Sequence, residues 1–534
     1  MTNTENQTSY DEVPYGSHAF AQSHPDRLAT IGRLFGLAPA PITQCRVLEL
    51  GCASGGNLIP MAFGLPGSEF VGVDMSARQV AAGRKIIQDM NLKNIRIEHA
   101  SIMDVDAAYG AFDYIICHGV FSWVPKDVQD KILSVASANL TPRGIAYVSY
   151  NTYPGWHMRG MLRHMMLYHI KQFKGTQQRI DQAKALIDFI ARYIPTENNA
   201  YGLLLKNELN IIKRTSDWYL FHDHLEEVNE PVYFHQFAEQ AMSYSLQYLG
   251  ESDIGTMLTS RFPKEVAETL KKINKDIIST EQYMDFLRNR HFRQTLLCHK
   301  GVPLRRNLGS GDLNGLLIAS SAMPDIDQKT GGAADLYSPG VAKSFRTPKK
   351  QTITSNSPLT KAGLMILREN WPHALDFDTL SDAATKRLNE TQILKGKPTE
   401  QNRQMLATDL LQSYTANVIE LRTWQGDFVR KVSERPKASP LAAYQIGQGE
   451  SSVVSLRHEQ VPADPLTQHL IPLLDGTRDR ATLFDRMSEM IINGTLKAQQ
   501  DNQQIKDPEM IRKSLEEDIE RRLAYLAGAA LLVE

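Results

Sequence analysis

The chain has few cysteines, almost no net charge and no long apolar run. Its scattered cysteines match neither a disulfide framework nor a metal-binding pattern, and such sparse use is typical of a reducing compartment, so we expect a cytoplasmic protein. The four cysteines are Cys45, Cys52, Cys117 and Cys298. The N-terminal sequence MTNTENQTSYDE has no basic head and no apolar stretch, so no signal peptide is expected. No apolar stretch is long enough to span a bilayer, and membrane insertion is not expected.

The two signs of charge are balanced over the chain. The 59 Lys and Arg residues against 60 Asp and Glu residues give a formal net charge of −1. Without a basic excess there is no overall attraction for nucleic acid or an anionic membrane, so neither is an expected partner. The length of 534 residues exceeds one compact core, and several domains are therefore expected.

Strand and helix patterns alternate over residues 1–157, which predicts five β-α repeats of a doubly wound, Rossmann-like sheet. Residues 158–305 have mainly helical periodicity, interrupted by two strand-like stretches at 245–250 and 294–299. We expect these stretches to close the sheet as its sixth and seventh strands. The helical blocks at about 160–240 and 253–290 would then be insertions that cover the ligand edge of the sheet.

The C-terminal part has a different pattern. Residues 306–357 are rich in Gly, Ser, Asn, Thr and Pro, which predicts a connector with a small sheet. Residues 358–534 alternate helices with short strands, and this favours an α+β winged-helix-like region of one or two domains. We expect residues 418–421 and 452–456 to form a strand pair. Because no basic stripe stands out, contact with other proteins is favoured over contact with DNA.

The most specific motif is a buried strand that enters a glycine-rich turn, VLELGCASGGN at residues 47–57. A second strand at residues 70–74 ends in Asp74, about twenty residues further on, as in a nucleoside-binding βαβ unit. The glycines let the backbone pass close to a ligand. Asp74 is then placed to accept hydrogen bonds from two ribose hydroxyls.

The acid Glu49 separates two cofactor classes. A carboxylate two residues before the first glycine would repel the pyrophosphate of a dinucleotide, but it suits a cofactor that carries an ammonium group. S-adenosylmethionine (SAM) has an ammonium, a sulfonium, a ribose and an adenine, so the motif favours SAM. The alternative is an ordinary turn that binds no ligand. The candidate cofactor-binding residues within these two motifs are Glu49, Gly51, Cys52, Ala53, Gly55, Asn57, Asp74 and Met75.

Polar residues follow the next two predicted strands. Asp104, after the strand at residues 95–99, is a candidate acceptor for the adenine amino group, and the alternative is that it caps its own loop. His118 ends the strand of residues 112–120 and would orient the cofactor or accept a proton. The alternative is a structural hydrogen bond, which is the more common role of a lone histidine.

Aromatic residues follow the fourth and fifth predicted strands. Aromatic faces attract cations, so such a cluster suits an alkylammonium group or the sulfonium itself. The alternative is aromatic packing beneath the helical insertion. We take Trp123 and Asn151 as candidate substrate contacts, and Tyr153 and Trp156, with His118, as candidate catalytic residues.

The segment of residues 217–235 combines histidines, acids and aromatic residues. It is interpreted as a lid that contacts the substrate, with a structural polar network as the alternative. The His222-x-His224 spacing also suits a metal, but no matching distant pair of ligands is evident, so no metal is predicted. From this segment we take His222 and Glu226 as candidate substrate contacts.

Several segments resemble those of bacterial class I SAM-dependent methyltransferases that carry a methyltransferase regulatory domain. This group includes the rickettsial-type protein-lysine methyltransferases that modify outer-membrane proteins. The resemblance runs from about Tyr10 to Leu304 and extends more weakly to the C-terminus. The segments are YDEVPY at 10–15 with Ser17 and Phe20, HPDRL at 24–28, HGVFSWVP at 118–125, residues 150–156 and 221–234, PKASP at 436–440 and LDGTR at 474–478.

The resemblance implies a seven-stranded class I methyltransferase sheet whose SAM pocket also includes Ser101 and Ile102. It further implies methyl transfer to lysine side chains of a protein, an outer-membrane or envelope protein met before export. The large accessory regions favour such a macromolecular acceptor. The alternatives are a small-molecule N- or O-methyltransferase, in which the C-terminal part forms a homodimer, and a SAM-sensing regulator without catalysis.

Overall fold

The computed structural model describes residues 16–214, 217–273, 276–325, 336–496, 499–500, 503–504 and 508–534. Two compact units make up the chain. The first unit contains residues up to His18, residues 45–59 and residues 69–302. The second unit contains residues 19–44, 60–68 and 303–534, so a short N-terminal segment belongs with the C-terminal part. The domain limits drawn from the sequence stay predictions.

A mixed sheet of seven strands forms the centre of the first unit. Its strand order is β3-β2-β1-β4-β5-β7-β6, and β7 is antiparallel to both of its neighbours. The predicted seven-stranded, Rossmann-like sheet is confirmed, including the two strands at residues 245–250 and 294–299, which are β6 and β7. The strands are β1 Arg46–Leu50, β2 Glu69–Asp74, β3 Ile95–His99, β4 Phe112–Cys117, β5 Leu140–Asn151, β6 Leu246–Glu251 and β7 Phe292–His299.

The position of β1 creates the ligand edge. It pairs in parallel with β2 on one side and with β4 on the other. The connections that leave these strands therefore diverge to opposite sides, and a crevice opens at their carboxyl ends. The central strands consist of nearly continuous apolar residues buried on both faces, as parallel strands under two layers of helices require.

Helices cover the sheet and form the predicted insertions. Between β5 and β6, four helices and a π-helical turn share a separate apolar core that includes Leu162, Ile187, Leu205 and Phe221. The helices before β6 are Leu58–Gly64, Ala77–Asp89, Lys126–Asn139, Gly155–Ile170, Thr176–Tyr193, Ala200–Ile212, Asp217–Leu220 and Phe234–Ser243, with the π-helical turn at Phe221–Leu225. Two more, Lys264–Ile273 and Ile277–Arg288, lie between β6 and β7.

A fully buried arginine joins β7 to its surroundings. Arg293 forms ion pairs with Glu251 of β6 at 2.7 Å, and with Asp285 at 2.8 Å and Glu281 at 3.0 Å in the helix Ile277–Arg288. Its guanidinium also lies 3.8 Å from the ring centre of Phe234. Because a buried charge is costly unless it is paired, this network holds the last two strands and the helix together.

The second unit is α+β and contains the predicted winged-helix region. Its helices are Pro25–Leu34, Pro358–Asn370, Phe377–Glu390, Glu400–Thr415, Pro440–Gly447, Pro465–Leu470, Arg480–Ile492 and Pro508–Gly528. Its strands are β8 Leu317–Ala319, β9 Met323–Pro324, β10 Lys343–Arg346, β11 Thr352–Ser355, β12 Leu375–Asp376, β13 Glu420–Arg422, β14 Ser452–Val454, β15 Gln460–Pro462, β16 Gln499–Gln500 and β17 Gln503–Gln504. Across the described residues of both units, we find no helix with the length and apolarity that a membrane crossing demands.

One predicted strand pair in this unit is wrong. Residues 418–421 and 452–456 were expected to pair, but β13 pairs with β8 and β14 forms a hairpin with β15. Strands of three residues carry too little pattern to select a partner. Pairing here follows the apolar surface that each strand covers, since Ile318 of β8 and Leu421 of β13 are both buried.

Candidate functional site

The turn after β1 adopts backbone angles that suit a close approach to a ligand. Gly51 and Gly55 have φ angles of +73° and +77°, and Ala53 between them has +48°. The N–H groups of Gly51 and Cys52 donate to the carbonyl of Val73 at 2.8 and 3.1 Å, which seats the turn on β2. A Cβ atom at Gly51 would overlap Cγ2 of Val120, so only glycine fits there.

The carboxylate of Asp74 holds the turn from the end of β2. Its Oδ2 atom accepts the N–H of Ala53 at 2.7 Å, and its Oδ1 atom accepts the N–H of Ser76 at 2.9 Å. Carboxylate oxygens each accept more than one hydrogen bond, and hydroxyl groups are among their usual donors. Met75, the next residue, is 58% exposed, and its carbonyl accepts a hydrogen bond from Nε2 of His99 at 3.0 Å.

Glu49 lies buried beneath the same turn. Its Oε1 atom accepts from the side-chain amide of Asn57 at 2.7 Å, whereas no described residue donates to its Oε2 atom. Burial raises the pKa of Glu49 to about 8; the hydrogen bond from Asn57 opposes this, and the negative charge of Asp74 adds to it. A buried acceptor without a donor fits the ammonium group of SAM, because that group supplies both N–H donors and a compensating charge.

A residue missed by the sequence reasoning also contacts this turn. Oγ of Ser17 accepts the N–H of Gly56 at 2.7 Å, and a Cβ at Gly56 would collide with the main chain of Ser17. The only available signal was the place of Ser17 in the N-terminal segment that resembles the family. The motif at residues 10–15 from the same region lies outside the described residues.

The loop after β3 forms a short 3₁₀ turn, Ile102–Asp104. Oγ of Ser101 accepts the N–H of Met103 at 3.2 Å, and the carboxylate of Asp104 accepts the N–H of Ser101 at 3.1 Å. Asp104 therefore caps this turn, which was the structural alternative, and its exposed carboxylate keeps further lone pairs. A role for Ser101, Ile102 and Asp104 toward adenine stays a prediction.

His118 follows the end of β4. Its Nδ1 atom lies 2.8 Å from the hydroxyl of Tyr147, and the two rings stack. Burial lowers the pKa of His118 to about 3, so the imidazole is neutral near pH 7. The following Gly119, at a φ of +70°, donates its N–H to Oγ of Ser149 at 2.8 Å. These bonds fix the direction of the chain as it continues from the end of β4.

The ends of β4 and β5 meet through Ser122. The N–H of Asn151 donates to Oγ of Ser122 at 2.8 Å, and the carbonyl of Ser122 accepts the N–H of Glu230 at 2.7 Å. Trp123 packs edge-to-face against Trp156, with 6.1 Å between ring centres. The structure thus brings together Trp123, Asn151 and Trp156, which the sequence reasoning had selected separately.

Tyr153 lies next to this group. Its ring stacks on His157 at a centre distance of 4.1 Å, and the ring of Tyr233 lies 5.2 Å away. Burial raises the pKa of Tyr153, and the nearby charge of Glu230 adds to this increase. The phenol is therefore protonated near neutral pH.

His222 and Glu226 belong to the helical block. They pair with each other at 3.0 Å, and Arg163 donates to the carbonyls of Glu226 and Glu227. Phe221, beside His222, is part of the core of that block. The contacts therefore place these two predicted substrate residues within the insertion, and the backbone bonds to the edge of the sheet further along the chain, at Glu230 and Val232. Within the described ranges, no three His, Cys, Asp or Glu side chains are arranged to hold a metal ion.

Three family models match successive parts of the chain. Residues 43–188 match a methyltransferase domain, residues 216–299 match a predicted methyltransferase regulatory domain, and residues 434–531 match the C-terminal winged helix domain of PKMT. Their order follows that of the sheet, the helical insertion and the end of the second unit.

Two Rickettsia proteins are similar over nearly the whole chain. An uncharacterized protein of Rickettsia prowazekii is 38% identical over 527 residues, which cover 98% of this chain and 93% of the relative. PKMT2 from Rickettsia typhi, whose structure was solved in complex with AdoHcy, is 32% identical with a TM-score of 0.87. That match covers 98% of this chain and 100% of PKMT2.

Proposed function

Because the chain belongs to the bacterial class I SAM-dependent methyltransferases with a regulatory domain and a C-terminal winged helix, we propose that it methylates lysine side chains of a protein. The observation that carries this proposal is the similarity to PKMT2, a protein lysine methyltransferase by name, which extends through the accessory regions as well as the sheet. Accessory regions of this size suit a macromolecular acceptor.

We assign the cofactor pocket to the carboxyl ends of β1, β2 and β3. Glu49 would face the ammonium group of SAM with its Oε2 atom, to which no described residue donates, and Asp74, at the end of β2, would accept the ribose hydroxyls. The remaining residues of the proposed pocket are Gly51, Cys52, Ala53, Gly55, Asn57, Met75, Ser101, Ile102, Asp104 and His118. When bound, SAM supplies an electrophilic methyl group on a positively charged sulfur.

We place the acceptor at the ends of β4 and β5. The faces of Trp123, Tyr153 and Trp156 would surround the alkyl chain and exclude water, and Asn151 would contact its polar end. A lysine has an ordinary pKa of about 10.4 and must lose a proton before it attacks. An environment with little water disfavours the ammonium form and promotes that loss.

The two candidate proton acceptors are weak bases. The pKa of His118 is lowered to about 3, and Tyr153 is a protonated phenol because its pKa is raised. We therefore propose that the acceptor proton leaves to solvent, and that His118 and Tyr153 position the groups around them. His222 and Glu226 would support the segment above the acceptor, which is the lid interpretation of this region.

We further propose that the acceptor is an outer-membrane or envelope protein met in the cytoplasm before export. All four cysteines are free and buried, which agrees with a reducing compartment. Whether two copies associate is a separate expectation, and light scattering on the purified protein would measure it.

The experiment is to incubate the purified protein with methyl-labelled SAM and envelope, cytosolic or metabolite fractions of bacteria. Mass spectrometry then locates the label. We expect labelled lysine in an envelope protein, and label confined to metabolites would contradict the proposal. The Asp74→Ala variant should lose both AdoHcy binding and labelling, whereas the exposed change Asn210→Ala should leave both unchanged.

A further inference from the structure

Two side chains at or just after the end of β5, and a third on a segment bonded to that strand end, have buried polar atoms with no hydrogen-bond partner among the described residues. Among the described residues, no hydrogen-bond partner exists for Nδ2 of Asn151, Nε1 of Trp156, or either Nδ2 or Oδ1 of Asn229. Asn151 is 6% exposed and Trp156 is 3% exposed. Buried polar groups are nearly always hydrogen-bonded, so three such side chains in one place indicate a ligand that supplies the missing partners.

The backbone brings these side chains to the same place. Asn229 directly precedes Glu230, whose N–H binds the carbonyl of Ser122 at 2.7 Å, while Oγ of Ser122 accepts from Asn151 at 2.8 Å. Val232 donates its N–H to the carbonyl of Asn151 at 3.2 Å. The segment that carries Asn229 is therefore bonded to the strand end that carries Asn151 in two ways, through Ser122 and directly through Val232.

The neighbouring groups define the chemistry of the ligand. Trp123 and Trp156 form an aromatic pair beside Asn151, which suits an alkyl chain. The unpaired atoms are one carbonyl acceptor, Oδ1 of Asn229, and N–H donors on Asn229, Asn151 and Trp156. These donors disfavour an ammonium group, because it has no lone pair to accept them. A carbonyl oxygen that accepts an amine N–H leaves the nitrogen lone pair free, and a neutral amide does not stabilise the ammonium form as a carboxylate does.

We propose that Asn229 and Asn151 bind the primary amine of the acceptor in its uncharged form, beside the rings of Trp123 and Trp156. This inference rests on the proposed function and adds to it the residues that select a neutral alkylamine. Asn229 is a positioning residue that nothing in the sequence pattern distinguished. Glu230, exposed at the next position, would attract the charged amine from solvent before it reaches this site.

The test uses two analogues of AdoHcy in which nitrogen replaces sulfur. One carries an aminoethyl arm and the other a propyl arm of equal length, so their affinity ratio measures the recognition of the amine alone. Calorimetry with the full-length protein should give tighter binding of the aminoethyl analogue, with a ratio that rises with pH as the amine loses its proton. Asn229→Leu and Asn151→Leu should each reduce this ratio by about tenfold.

Controls separate the inference from the proposed function and from a structural role. Asn210→Leu, an exposed change on the helix Ala200–Ile212, should leave the ratio unchanged. Because leucine removes unpaired amides, the unfolding temperatures of Asn229→Leu and Asn151→Leu should equal or exceed that of the parent protein. Asn229→Asp should instead favour the aminoethyl analogue at lower pH.

Two outcomes have different meanings. If AdoHcy itself does not bind the parent protein, the proposed function fails. If AdoHcy binds but the ratio is equal to one, or is unchanged in both leucine variants, the inference about Asn229 and Asn151 is wrong. A marked loss of thermal stability in both variants, together with an unchanged ratio, would assign these asparagines to the fold instead.

Discussion

The carboxylate of Asp74 accepts the backbone N–H of Ala53 across 2.7 Å. This bond joins the end of β2 to the middle of the turn after β1, the point at which Ala53 has a φ of +48°. A non-glycine residue in the left-handed region carries a conformational cost, and the hydrogen bond to a charged acceptor offsets part of it. The same carboxylate thus shapes the turn and faces the proposed ribose position.

Asp74→Asn should weaken AdoHcy binding by about 100-fold, because an amide replaces a carboxylate that forms charge-assisted hydrogen bonds. Calorimetric titration with AdoHcy would measure the loss. Asp89→Asn provides the comparison, since Asp89 is exposed at the end of the helix Ala77–Asp89, where it pairs with Lys85, and its effect should stay within about threefold. Equal losses in the two variants would contradict the assignment of Asp74.

Binding of SAM should release a proton below pH 8. The pKa of Glu49 is raised to about 8 by burial, so this carboxyl is largely protonated at pH 6.5 in the free protein. A neighbouring ammonium lowers that pKa, and SAM affinity should then increase by up to about tenfold per pH unit between pH 6 and 8. Calorimetry at pH 6.5 in buffers of different ionisation enthalpy gives the number of protons released.

Glu49→Gln is the control for this linkage, because glutamine keeps a hydrogen-bond acceptor for Asn57 and does not titrate. The binding of SAM to Glu49→Gln should release close to no protons. The same proton release in the parent protein and in Glu49→Gln would place the titrating group elsewhere.

Gly51→Ala and Gly119→Ala should differ in their cost. Both residues have a left-handed backbone, at φ values of +73° and +70°. A Cβ at Gly119 meets no atom within 4 Å, so that change should lower the free energy of unfolding by only about 1 kcal/mol. At Gly51 the added methyl overlaps Val120, and the total cost should reach about 3 kcal/mol. Urea unfolding of both variants measures the difference, and equal costs would contradict the overlap.

Glu281→Gln should stabilise the protein in a pH-dependent way. Burial raises the pKa of Glu281 to about 7; the charge of Arg293 opposes this, and the charge of Glu251 adds to it. The folded state therefore binds this proton more tightly than the unfolded state, where the pKa is near its ordinary value. Stability is lost as the pH rises from about 4.5 to 7, and the loss is complete above pH 7.

Replacing this carboxyl removes that loss. The free energy of unfolding of Glu281→Gln, relative to that of the parent protein, should therefore increase by up to about 3 kcal/mol between pH 5 and pH 8. Urea unfolding at both pH values measures the gain. Glu268→Gln, an exposed change on the preceding helix, should follow the parent protein at both values. An advantage for Glu281→Gln that does not grow with pH would show that this carboxyl does not titrate as described.

The sheet could be predicted because its strands are long and apolar. β4 and the C-terminal part of β5 are buried almost throughout. A continuous apolar run between turn residues has few interpretations other than a central strand. The short strands of the second unit lack this signal, which is why the partner of residues 418–421 was predicted wrongly. The ion pairs of Arg293 were equally hidden, because one charged residue in a strand does not reveal its distant partners.

The residues of the candidate site likewise divide into those that the sequence indicated and those that it did not. Glu49, the glycines and Asp74 lie on one short βαβ unit, and their spacing alone predicts that they surround one ligand. Asn229 and Ser17 were missed because each comes from a segment distant in the chain and has no motif of its own. Only their hydrogen bonds, to Ser122 through the adjoining Glu230 and to Gly56, bring these two segments to the ligand edge.

The sequence by itself determined the cofactor class and the catalytic sheet, since local spacing and apolar periodicity survive without knowledge of distant contacts. Tertiary structure alone decided the neutral state of His118, the ion pair of Arg293 with Glu251 and the unpaired amides of Asn151 and Asn229. These properties depend on burial and on partners from remote segments, and a linear pattern records neither.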